Sequence, residues 1–138
     1  MKHIPSVDLR DFTSGDPQRK QKFVREIGSA FEEIGFVALS GHFLSDHLVS
    51  SLYKEVKAFF ALPQEVKAKY EIEGIGGQRG YTSFGKEHAK GRSEGDLKEF
   101  WHFGQYVEDN PVLEAQYPAN VLVEELPGFN QVGKETYQ

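Results

Sequence analysis

The stretch from Asp16 to Gly35 constrains this chain more than any other. Phe23, Val24, Ile27, Ala30, Phe31 and Ile34 recur at helical spacing and predict an amphipathic helix over about 17–34 with a single apolar stripe. Asp16 serves as its N-cap, Pro17 fits the first helical position, and Gly35 supplies the left-handed residue that closes it. A helix with one apolar face needs a partner to cover that face, and short extended runs on either side provide one. Ile4-Pro5-Ser6-Val7-Asp8-Leu9 alternates, with Val7 and Leu9 on one side, and Pro5 suits the beginning or edge of a strand. Phe36-Val37-Ala38-Leu39 is too short for a helix and predicts a buried strand.

Ser45 caps a second helix, with Asp46 in its first turn and an apolar stripe of Leu48, Val49, Leu52, Tyr53, Val56, Phe59 and Phe60. Leu62-Pro63 interrupts it, and a short third helix is expected from Glu65 to Tyr70. Residues 72–95 carry seven of the 14 glycines and predict a loop-dominated stretch with a short extended piece at Tyr81-Thr82. Loops of this length are uncommon unless they have a task or are disordered. Leu97 to Val107 predicts a strand with aromatic residues on both faces. Beyond Pro111 the pattern weakens until Phe129 to Tyr137, which predicts the opening of one more helix. The expected class is therefore α+β, in one domain spanning 1–138.

Composition narrows the chemistry. The net charge is -5, and residues 106–138 hold six acidic side chains against Lys134 alone, the reverse of a phosphate-binding surface; no nucleic-acid partner is expected. Zero cysteines exclude a disulfide scaffold, a thiolate metal site and a cysteine nucleophile. No run approaches 18 apolar residues and no signal peptide opens the chain, so no membrane partner is expected and a cytoplasmic location is the default.

The five histidines, at 3, 42, 47, 88 and 102, yield no metal set: none is followed two residues later by Asp or Glu. Gly74-Ile75-Gly76-Gly77-Gln78-Arg79-Gly80 follows a helix and lacks the lysine and hydroxyl of a nucleotide loop. Ser40-Gly41-His42 has no strand-to-helix elbow around an exposed serine. What remains is the cluster Arg79, Tyr81, Thr82 and Phe84. Two readings stand side by side. In one, Arg79 grips a ligand carboxylate with a two-pronged bond and Tyr81 forms a rigid wall. In the other, Arg79 faces solvent and Tyr81 plugs the core.

Several motifs then fall in a familiar order. They are Ile4-Pro5-x-Val7-Asp8-Leu9, Ala30-Phe31-Glu32-Glu33-Ile34-Gly35-Phe36-Val37, Gly41-His42, and Phe59-Phe60-x-Leu62-Pro63-x-Glu65-x-Lys67. Arg79-Gly80-Tyr81, Lys98-Glu99-Phe100 and Pro127-Gly128-Phe129 follow. This ordered set resembles the N-terminal domain of the isopenicillin N synthase-like family of 2-oxoglutarate and Fe(II)-dependent dioxygenases. The resemblance implies an oxidoreductase whose short N-terminal strands join the major sheet of a double-stranded β-helix, or jelly roll. That jelly roll and its iron and 2-oxoglutarate ligands match no residue here, so no catalytic, cofactor or metal residue is expected on this chain.

By the same likeness, Fe(II) and 2-oxoglutarate are implied for a full-length protein acting on a small molecule. This chain, a partial protein, is expected to be inactive alone and to supply structure and part of the substrate channel, with Arg79 and Tyr81 as substrate-binding residues. Its partner would be the missing jelly-roll domain. The alternative is a non-catalytic scaffold module docking on a separately encoded partner. One departure is the Asn-x-Trp-Pro of many relatives, which here reads Asn120-Val121-Leu122-Val123.

Overall fold

The computed structural model describes residues 3–88, 91 and 94–138. Met1 and Lys2 of the opening segment, and residues 89, 90, 92 and 93 of the glycine-rich stretch, lie outside the described residues. The chain divides into two compact units, Met1–Leu44 and Ser45–Gln138. Both combine helices with a two-stranded sheet, so the class is α+β, and no closed double-stranded β-helix occurs among the described residues.

In the first unit, β1 (Ser6–Asp8) runs into α1 (Leu9–Thr13), α2 (Pro17–Glu33) follows, and β2 (Ala38–Ser40) pairs with β1 in parallel, Val7 opposite Leu39. The short α1 was not expected: the extended run ends at Asp8 because its carboxylate accepts from Arg10 N (2.9 Å) and becomes an N-cap. Arg10's side chain hydrogen-bonds the same carboxylate, and these bonds hold Asp8 at a pKa of about 2. The ends of α2 form as expected, with Asp16 accepting from Gln18 N and Arg19 N, and Gly35 at φ 94 donating to Ala30 O.

Its stripe, however, divides. Phe23 and Ala30 are buried with Val7, whereas Val24 and Phe31, one position round the helix, are 51% and 56% exposed. Phe36 to Leu39 is likewise not a buried strand. The pairing starts two residues later, every residue of β2 is exposed, and Phe36 and Leu39 stand open to solvent. Two parallel strands are too narrow a sheet to cover both faces, and such sheets are ordinarily buried on each side.

The second unit begins with α3 (Asp46–Phe60), capped by Ser45 through Leu48 N, and α4 (Gln64–Ala68), started by Pro63. Then come β3 (Gly80–Thr82), its antiparallel partner β4 (Phe100–His102), α5 (Pro111–Glu114) and α6 (Pro127–Tyr137). The core is aromatic. Phe59 is fully buried among Phe129 (5.1 Å between ring centroids), Trp101 (4.8 Å), Tyr81 (5.9 Å) and Tyr70 (6.4 Å), with Val123 beside them. Gly80 sits at φ 76, and a Cβ there would lie 2.5 Å from Tyr70 O and 2.9 Å from Val121 Cγ2, so only glycine fits the start of β3.

The strand expected over 97–107 is only three residues long, because β3 offers only three residues to pair with it. Just beyond it the backbone is claimed by a side chain. Asn120 Oδ1 accepts from Gly104 N (2.8 Å), and its Nδ2 donates to Gly104 O (2.9 Å). Asn130 holds Val123 N and O in the same way, at 2.8 and 2.9 Å. These paired bonds organise the segment in which the Asn-x-Trp-Pro motif is altered. Asn120→Ala removes both partners of a buried glycine's backbone and is expected to cost about 1–3 kcal/mol, read as a lower urea midpoint at unchanged m-value.

Candidate functional site

Four polar side chains meet beneath the β3–β4 ribbon. Gln64 and Lys67, three apart on α4, project from one face of that helix. Tyr81 points inward from β3, and Glu99 immediately precedes β4. Lys67 Nζ donates to Glu99 Oε2 at 2.7 Å, Tyr81 Oη donates to the same oxygen at 2.5 Å, and Gln64 Nε2 donates to Tyr81 Oη at 3.1 Å.

Burial pulls the Glu99 carboxyl up, but the bonds from Lys67 and Tyr81 outweigh it and hold the group below the ordinary carboxylate range. Burial, then the bond to Glu99, push the Tyr81 phenol above its ordinary value. The result is a charged carboxylate, with one oxygen doubly occupied, bonded to a neutral phenol. A carboxylate so stabilised is a weak base, and the group acts as an anchor between α4 and the ribbon.

Tyr70 forms a second anchor. Its hydroxyl accepts from Glu124 N (3.0 Å) and donates to the Glu125 carboxylate, and burial raises its pKa. The glycine-rich stretch is loop-dominated, as expected, and is pinned at both ends. His102 Nδ1 donates to Gly77 O (2.7 Å), while Gly85 N donates to Asp96 O (3.0 Å) and Asp96 N to Glu87 O (2.7 Å). Beside it lies a hollow of about 420 Å³ lined by Glu71, Glu73, Gly77, Lys86, Thr82 and Phe100 among others.

The cluster Arg79, Tyr81, Thr82 and Phe84 is split by the fold. Phe84 is 54% exposed, whereas the other three are buried. Tyr81 has no exposed surface and is the core plug of the second reading, but Arg79 is not the solvent-facing residue that accompanied it: it is 8% exposed. Its guanidinium lies against Gly104, where any Cβ would overlap Cζ, Nε and Nη2. Nη1 donates to Gln78 O at 2.7 Å, and Nε is buried without a partner among the described residues.

Sequence reasoning passed over Gln64 and Asn130 and met Asn120 only as part of an altered motif, because their work depends on where distant segments return. Lys67 and Glu99 did stand in the quoted motifs, the only sequence signal that they belong together.

His42 and His47 are exposed around the start of α3, and the His102 ring is committed to Gly77. Among the described residues no group of three or more His, Asp or Glu is placed to hold a metal ion, and no helix is long and apolar enough to cross a membrane.

Residues 4–125 match the family model described as the N-terminal region of the non-haem dioxygenase in morphine synthesis. The chain belongs to this non-haem dioxygenase N-terminal family. Its relatives include the 2-oxoglutarate-dependent dioxygenase imqE of Aspergillus flavus, 30% identical over 97% of this chain and 43% of that protein. Another is the 2-oxoglutarate-dependent dioxygenase frbA of Dothideomycetidae sp., 34% identical over 91% of this chain and 40% of that protein.

A solved 2OG-Fe(II) oxygenase family protein of Caulobacter crescentus superposes with a TM-score of 0.77 at 35% identity, covering 99% of this chain and 43% of its own. The full-length thymine-7-hydroxylase of Neurospora crassa, solved in complex with alpha-KG, superposes at 0.70 and 26% identity over 96% of this chain and 41% of its own. The non-haem dioxygenase N-terminal chain thus spans less than half the length of these relatives.

Proposed function

We propose that this chain is the N-terminal brace, and one wall of the substrate channel, of an Fe(II)- and 2-oxoglutarate-dependent oxygenase acting on a small molecule. The observation that carries this reading is the superposition of 99% of the chain on 43% of the Caulobacter oxygenase. On this reading the iron and 2-oxoglutarate ligands belong to the portion of the relatives that the chain does not span. The described residues do not fit such a ligand set.

Their work is orientation. The open β2 strand, with Leu39 exposed, and the outer Val24 and Phe31 of α2 form apolar surface that further polypeptide would cover. Arg79 meets the substrate, and Tyr81, locked by Glu99 and Gln64, holds the strand that presents it.

The test is succinate release with Fe(II), ascorbate and 2-oxoglutarate. The 138-residue chain is expected to match the protein-free control, and a form extended to the length of the relatives is expected to turn over. Turnover by the short chain would overthrow the reading. An inert extended form that binds neither Fe(II) nor 2-oxoglutarate would do so in favour of a non-catalytic docking module.

A further inference from the structure

We infer that the hollow between α3, β4 and α6 is a small-molecule site that takes a neutral ring bearing one hydroxyl, and this does not depend on the oxygenase reading. The hollow, about 360 Å³, lies wholly within the Ser45–Gln138 unit. Leu52, Val56 and Phe60 line it from α3, where their four-residue spacing forms one stripe, and Trp101, Phe103 and Phe129 close it from the other side. One of its lining side chains is a carboxylate, that of Glu99. Its Oε2 is engaged by Lys67 Nζ at 2.7 Å and by Tyr81 Oη at 2.5 Å. Oε1 accepts from no described residue, and it is not among the enclosed atoms, so a partner can reach it.

The chemistry of the partner follows from that oxygen. Glu99 is held in its charged form, and a carboxylate oxygen beside apolar walls favours a hydrogen-bond donor. Lys67 already balances its charge, so an ion of either sign entering the hollow would lose water without gaining a counter-charge. A neutral hydroxyl meets the oxygen without that penalty. The walls select a ring: Trp101 lies 5.0 Å from Phe129 at 84° and 5.8 Å from Phe103, and a further ring extends the same edge-on packing. The chain itself repeats the pattern, since the Tyr81 phenol donates to Glu99 and the Tyr70 phenol to Glu125. The volume falls in the range of small-molecule cavities, roughly 300–1,000 Å³, and is too small for a polypeptide segment.

The experiment titrates the 15N-labelled 138-residue chain with phenol and with toluene, which share a shape and differ by a hydroxyl against a methyl group. Trp101 is the single tryptophan, so its indole N–H gives one resonance at the wall of the hollow. Phenol is expected to move it saturably and to bind about tenfold more tightly than toluene, the scale of one hydrogen bond to a charged group. Benzoate is expected to leave it unmoved. Leu52→Phe, which fills the hollow from α3, is expected to abolish the response with the Trp101 emission unchanged. The double variant Lys67→Met with Glu99→Gln keeps the walls and removes the charge, and the preference for phenol is expected to fall to about twofold.

Toluene binding as tightly as phenol, or more tightly, overturns the inference, because a merely apolar hollow prefers the less polar molecule. This ranking in the wild-type chain decides even where a variant fails to fold. A phenol response that survives in folded Leu52→Phe overturns it as well. In a form extended to the relatives' length, a retained response supports the site, whereas a lost one shows that polypeptide covers the hollow and overturns the assignment to a small molecule. The readout needs no turnover, so an extended form that binds phenol yet releases no succinate would sink the oxygenase reading and leave this one standing.

Discussion

Phe59→Ala is expected to leave the Ser45–Gln138 unit at the edge of unfolding. The ring is fully buried and packs against those of Phe60, Tyr70, Tyr81, Trp101 and Phe129, so truncation opens a cavity that several rigid rings cannot collapse into together. Buried Phe→Ala changes cost about 3–5 kcal/mol, against a total stability of about 5–15 kcal/mol for a domain. Trp101, the chain's single tryptophan, lies 4.8 Å from Phe59 and reports the loss directly. Its emission should shift to the red and its urea midpoint should fall sharply. Phe59→Leu, which keeps most of the volume, is expected to lose much less. Equal losses from the two variants would show that the aromatic packing around Phe59 is not what holds the unit.

Lys67→Met is expected to be nearly as damaging, for an electrostatic reason. It leaves Glu99, whose side chain is 17% exposed, with only Tyr81 as a donor, and removing one member of a fully buried ion pair costs about 3–5 kcal/mol, which sets the upper bound here. The double variant Lys67→Met with Glu99→Gln removes both charges and is expected to recover much of that loss. Additive losses in the double variant, measured as urea midpoints, would mean that the two groups are not coupled.

The pH dependence follows from the same bonds. Glu99 is held below its ordinary value of 4.5, so its contribution is present above that value and lost as pH falls through the lowered pKa. Tyr81 is raised above 10.0, so its contribution is present below 10.0 and lost as pH rises through the raised pKa. Wild-type stability should therefore be flat between these limits as far as this network is concerned. In Lys67→Met the acid-side loss should shrink, because the bond that most opposes the effect of burial on Glu99 is gone and its folded-state value moves up toward the unfolded one.

The helices show how far local pattern reaches. Asp16, Pro17 and Gly35 delimit α2, and Ser45 and Pro63 delimit α3 and α4, because a cap or a proline acts on backbone groups within a turn of itself. Asp8 is the instructive exception. Its alternation with Val7 reads as strand, yet a short acidic side chain can equally take the N–H two residues on, and Arg10 tips it to the second choice. The candidate site was legible only in its residue types. Arg79 and Tyr81 stand out among glycines, but their burial, the one paired to nothing acidic among the described residues and the other to Glu99, depends on β4 and Gly104 arriving from a distant part of the chain.

Sequence by itself determined α2 and α3 with their caps, the glycine-rich connection and the family, since these follow from spacing, capping and ordered motifs along one stretch of chain. Tertiary structure alone decided the lengths of the strands, which face of α2 is covered, and that buried Lys67 meets a counter-charge in Glu99. Those outcomes turn on which backbone and side-chain groups meet across the fold. A strand extends only as far as its partner does, and a charge is neutralised only where an opposite one is brought to it.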